Sequence, residues 1–125
     1  MITVRRLNYR VIEFSLHDYA NNNNPMSIDV GDEVVFTVKE NLRDSDANVR
    51  IRKDISGGGI KVTDGQHGRG EIELTVGDLS LPASDYHADL FLVKPFGVQY
   101  STEPMIFRVG DSVPADNVMV VGVAT

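Results

Sequence analysis

The stretch Gly70-Glu-Ile-Glu-Leu-Thr-Val-Gly-Asp-Leu-Ser-Leu-Pro-Ala-Ser-Asp-Tyr-His-Ala-Asp-Leu-Phe-Leu-Val-Lys94 decides the fold. Ile72, Leu74 and Val76 alternate with Glu71, Glu73 and Thr75, the period of two expected of a strand with one dry and one wet face. Tyr86, Ala88, Leu90 and Leu92 alternate in the same way with Asp85, His87, Asp89 and Phe91. Between the two runs, Gly77-Asp78 and Leu81-Pro82 mark an irregular corner rather than a two-residue hairpin turn.

An Asp-Tyr pair opening a strand after such a corner has the form of a tyrosine corner. In immunoglobulin-like sandwiches that hydroxyl bonds back to the corner backbone, and the position two residues on carries the second cysteine of antibody domains. Here that position is Ala88, so Tyr86 predicts a cysteine-free sandwich. Moving outward, Ile2 to Leu16 reads as extended, and His17 to Pro25, with Asn21 to Asn24, reads as a polar loop. Val34, Phe36 and Val38 alternate with Val35, Thr37 and Lys39. Val49 with Ile51, Ile60 with Val62, Val98 to Tyr100, Met105 to Val109 and Val118 to Val123 supply further short strands. Ser56-Gly57-Gly58-Gly59 and Pro95-Phe96-Gly97 break the chain between them. Helical periodicity is confined to a single turn near Leu79. Many short strands with turn signals between them predict an all-β, immunoglobulin-like antiparallel sandwich. The expected division is an N-terminal arm with the Asn-rich loop (1–27), the sandwich (28–111) and a C-terminal tail strand (112–125).

At 125 residues the chain is one domain with room for a real core. It has no cysteine, which removes disulfides, thiolate metal sites and thiol nucleophiles, and fits a reducing compartment. Eighteen acids against twelve bases give a net charge of −6, which opposes binding to nucleic acid or anionic lipid. No apolar run approaches the roughly 20 residues that span a bilayer. Arg5 and Arg6 arrive too early for a signal-peptide core. A soluble cytosolic product is the expectation.

From Val30 to Val109 the chain resembles a domain that recurs in tail and baseplate proteins of bacteriophages and prophages. The matching blocks are Val-Gly-Asp-Glu-Val-Val-Phe-Thr-Val-Lys (30–39), Asp-Ser-Asp-Ala-Asn-Val-Arg-Ile-Arg-Lys-Asp (44–54), Gly-Gly-Ile-Lys-Val-Thr-Asp-Gly (58–65), Glu-Leu-Thr (73–75) and Leu-Pro-Ala-Ser-Asp-Tyr-His-Ala-Asp-Leu (81–90). The resemblance implies an immunoglobulin-like virion module with a structural or attachment role. It is expected in the host cytoplasm before assembly and in the virion tail afterwards.

Residue constellations for catalysis are not found. Asp44-Ser-Asp46-Ala-Asn48 echoes a calcium loop, but the required glycine is Val49 and the required Glu is Ile55. A loop-end calcium site could draw only on Asp29, Asp32 or Asp64. His17, His67 and His87 lack zinc-ligand spacing. Ser56 matches no nucleophile elbow, and Gly57 to Gly59 lead into a strand rather than a P-loop helix. Glu71 and Glu73 share one strand face, as solubilising acids commonly do. The prediction is no enzyme, no metal and no cofactor.

Two features call for a contact. Phe91 and Val93 make the outward face of their strand apolar towards its end, and Met119, Val120 and Val121 form an uncharged strand that cannot be left as an open edge. These five residues are the expected protein contacts, with arm exchange favoured over closure within one chain. The partners would be other copies of the chain, as a homo-oligomer, or other virion proteins. A second reading is a module that binds carbohydrate or a cell-surface ligand through end loops; Tyr19, Phe96 and Tyr100 are its only aromatic candidates.

Overall fold

The computed structural model describes residues 2–18, 22, 24–41, 49–102 and 105–111, and the backbone of 118–124. The strands are β1 (Ile2–Arg5), β2 (Arg10–Asp18), β3 (Asn24–Pro25), β4 (Glu33–Lys39), β5 (Val49–Asp54), β6 (Ile60–Asp64), β7 (Arg69–Leu74), β8 (Ser84–Val93), β9 (Gln99–Thr102), β10 (Met105–Gly110) and β11 (Val118–Ala124). The one helical element among the described residues is the 3-10 turn Gly65–His67, capped by Asp64. It lies where sequence alone suggests a flexible connection.

Two sheets pack face to face. One runs β5–β4–β8–β10–β1, antiparallel except for the last pair, and the other runs β6–β7–β2, with β3 at one end of β2. Leaving β1 aside, which lies in parallel beyond β10, these are in order the C′-C-F-G and D-E-B sets of an immunoglobulin-like sandwich. The sheets are also joined along one side, where β9 pairs with the end of β8 and with β11, which pairs in parallel with β2. On the other side an isolated bridge between Asp54 and Gly59 closes the turn from β5 to β6.

The core is the inward set of both sheets: Ile12, Phe14, Leu16, Ile72 and Leu74 meet Val34, Phe36, Val38, Ala88, Leu90, Leu92 and Phe107. The rings of Phe36 and Phe107 pack tilted, with centroids 6.1 Å apart. The alternation in 70–94 holds for β8 throughout. In β7 it stops at Leu74, because the chain turns there and leaves Val76 half exposed. Leu79, whose N–H bonds to Thr75 O at 3.1 Å, is fully buried in its place.

The separate N-terminal arm is corrected. Ile2, Val4, Ile12, Phe14 and Leu16 belong to the core, and β2 pairs with β3, β7 and β11. A run whose apolar residues alternate over this length buries more by joining the sandwich than by leaving it. The boundary after residue 27 therefore separates nothing. The tail strand pairs within its own chain: β2 lines β11 along Val118–Val123, and β9 meets its last two residues, Val123 and Ala124. The side chains of Met119, Val120 and Val121 lie outside the described residues.

Candidate protein-contact surface

Three connections meet at the end of the sandwich where β4 starts and β8 finishes. Residues 29–32 form a turn in which Asp29 N–H donates to Asp32 Oδ2 at 2.8 Å and Asp32 N–H donates to Asp29 O at 3.1 Å. Residues 94–98 form a second turn: Gly97 N–H donates to Lys94 O at 2.9 Å, and Lys94 N–H to Val98 O at 2.8 Å. Pro95 presets the first central position, and Gly97, at φ +85°, takes the left-handed one that follows.

Lys94 locks the two turns together. Its ammonium lies 2.6 Å from Asp32 Oδ2 and 3.2 Å from Asp29 Oδ2, and the Asp32 side chain is only 2% exposed. Burial disfavours the charged amine, but its bonds to Asp32 and Asp29 outweigh that and hold its pKa above the ordinary lysine value. Glu33 does the same for the third connection. Its carboxylate accepts from Val34 N–H at 3.1 Å, Ile55 N–H at 2.6 Å and Ser56 N–H at 3.2 Å. Burial pushes its pKa up, and the bonds from Ser56, Ile55 and Val34 more than reverse this, leaving it lowered. Asp54 closes the Gly57–Gly59 turn by accepting from Gly57 N–H.

The braced turns carry apolar tips. Val30 and Phe96 are fully exposed, at 104% and 94%, and Val98 is half exposed. The tips are neighbours, since a Cβ on Gly31 would lie 3.6 Å from Pro95 Cγ. Apolar exposure of this size, on turns held by a partly buried ion pair, makes the two tips a candidate contact surface.

Directly below the tips, on the outer face of the β5–β4–β8–β9 strands, is an open groove of about 320 Å³. Val35, Thr37, Val49, Phe91 and Val93 line it, with Arg52 and Gln99 at its rim. Antiparallel register explains the grouping: Val35 lies opposite Phe91, Thr37 opposite Asp89 and Arg52, and Val93 opposite Gln99. Thr37 is 4% exposed, and its hydroxyl is buried without a hydrogen-bond partner among the described residues. Asp89 sits further along the same face, where burial raises its pKa above the usual aspartate value despite the nearby Lys39 and His87.

Phe91 and Val93, expected as contacts, thus line this groove, half buried. Of the aromatic candidates, Phe96 stands exposed and Tyr100 packs against the core; Tyr19 lies outside the described residues. The calcium readings find no geometry. Lys94 lies between Asp29 and Asp32, Asp64 bonds His67 Nδ1 at 2.8 Å, and Asp44 to Asn48 lie outside the described residues. No group of three or more His, Asp or Glu residues is placed to hold a metal ion among the described residues.

At the other end of β8, Tyr86 Oη donates to Pro82 O at 2.7 Å, the bond a tyrosine corner consists of. Beside it Arg108 clamps Asp85 through two bonds, 2.7 and 3.0 Å long. The residues that sequence reasoning overlooked are Lys94, Glu33 and Val30, while Asp32 was weighed only as a calcium ligand. Their signal is faint, because an Asp-x-Gly-Asp turn and a Lys-Pro-Phe-Gly turn become a pair only when the strands bring them together. It also missed Ser15, whose Oγ lies 2.8 Å from His17 Nε2 on β2, beside Glu13 and Arg69.

No helix among the described residues is long and apolar enough to cross a membrane. No family model matches the chain, and no curated protein matches it.

Proposed function

We propose that the chain is a non-enzymatic structural protein of a phage or prophage tail, which works by contacts of its sandwich with other copies of itself and with other virion proteins. The observation that carries this reading is the continuous surface made by the Val30 and Phe96 tips and the Phe91–Val93 groove. A surface of that kind, on turns fixed by a buried ion pair, suits a partner better than it suits water. The assignment to a virion rests on the block order from Val30 to Val109, which resembles tail and baseplate domains. In this reading the chain is made in the host cytoplasm and ends in the tail.

The test is to induce particles from the cell that encodes the chain, purify them by density gradient and identify their proteins by mass spectrometry. The chain is expected as a component at fixed stoichiometry to other tail proteins. Purified tails that lack it overturn the reading.

A second reading is favoured by one residue. Phe96, exposed on a rigid turn, is the kind of side chain on which a sugar ring stacks, as a module binding carbohydrate or a cell-surface ligand would require. A glycan array probed with the full chain and with Phe96→Ala tests it: binding lost in the variant supports it, and no binding by the full chain removes it.

A further inference from the structure

We infer that the outer face of β5–β4–β8–β9, together with the tips of the 29–32 and 94–98 turns, is the interface for a second copy of this chain, related to the first by a twofold axis. This deepens the assembly reading above and rests on it only for its biological setting. Two observations carry it.

The first is shape. The face holds a projection and a recess side by side: Val30 and Phe96 stand out, while Val35, Phe91 and Val93 line the groove immediately below. A twofold axis between projection and recess places each tip in the groove of the other copy, so one patch serves both subunits and the contact closes. The second is charge. Asp29 keeps its side chain 67% exposed at the tip, and Arg52 keeps its side chain 56% exposed at the rim of the groove. Each has one intramolecular partner and room for another, and the axis that seats the tips brings the acid of one copy to the guanidinium of the other.

The alternative occupants are a different protein and a small ligand. Neither accounts for why the projection and the recess that fits it lie on the same chain.

The test is sedimentation of the full chain from low micromolar to millimolar concentration, beside Val30→Ser/Phe96→Ser and Arg52→Glu. A species of twice the 13.8 kDa chain mass is expected, with its dissociation constant weakened at least tenfold in each variant. Val30 and Phe96 are exposed, so their double variant keeps the fold, and circular dichroism checks it. The cysteine-free background allows a second measurement. Chains carrying Phe96→Cys, mixed with chains carrying Val49→Cys under mild oxidation, are expected to form the mixed disulfide ahead of either like pair. A chain that stays monomeric at every concentration overturns the inference, as does a dimer indifferent to these substitutions. In both cases the chain can still be found in purified tails, so the assembly reading stands or falls separately.

Discussion

Gly70 lies between Phe14 on β2 and Val62 on β6, and a Cβ there would lie 2.5 Å from the Phe14 ring and 2.8 Å from Lys61 O. The glycine is there to make room, not to bend the chain. Gly70→Ala is expected to cost about 1–3 kcal/mol through overpacking, measured by urea unfolding. Phe14→Leu in the same chain should recover part of the loss. Tyr86→Phe removes the bond to Pro82 O and nothing else; about 1 kcal/mol and roughly 4 °C in melting temperature are expected to go with it. Asp89 is different, because its pKa is raised by burial. A carboxyl with a raised folded value adds stability below the unfolded aspartate value, and that contribution is lost as pH rises through the folded one. At neutral pH the ionised group is therefore a burden. Asp89→Asn is expected to melt higher than the parent at pH 7, and the gap should shrink as the pH approaches about 4. A gap that widens on acidification would sink this account.

At the scale of elements, β11 has the most to reveal. It supplies the partner for the Glu13–Asp18 edge of β2 and, through β9, ties the two sheets together. A chain ending at Asn117 leaves that edge bare. Faster hydrogen exchange at the β2 amides and a tendency to aggregate are expected, read by mass spectrometry and light scattering. The strands themselves were largely legible in the sequence. Alternation names the inward residues of β4, β7 and β8, because a period of two has one consistent solution when one face must be dry. Their partners were not legible. Nothing in Val118 to Val123 says that it will run parallel to β2, and a leading segment with its own arginines reads as an arm until the sheet order seats it. Arg50, Arg52 and Lys53 protect β5 as a sheet edge, which charge on a strand does signal.

The whole molecule is a sandwich joined along one side through β9 and β11, with its candidate contact surface at one end. The tyrosine corner was readable because it is local: four residues separate Tyr86 from its acceptor. The candidate contact surface was readable only in part. Phe91 and Val93 betray themselves by breaking the polar half of their strand's pattern. Val30 and Lys94 do not, because their meaning depends on an ion pair between residues 62 positions apart. Lys94→Met keeps the stem and removes the ammonium, leaving the Asp32 carboxylate buried with the Asp29 N–H as its remaining bond partner among those described above. About 2 kcal/mol of stability is expected to be lost, with the 29–32 and 94–98 amides exchanging faster than the rest.

The two parallel pairs set a timetable for the newborn chain. β1 closes only against residues 107–110, and β2 waits for 118–123 to cover one of its edges. β1 and β2 thus leave the ribosome well before the strands that complete them, so most of the sandwich must emerge before the core can seal. Contacts of such long sequence separation make for slow folding. Until then Ile2, Val4, Phe14 and Leu16 remain open to any apolar surface nearby, and a chaperone or a neighbouring copy can reach them first.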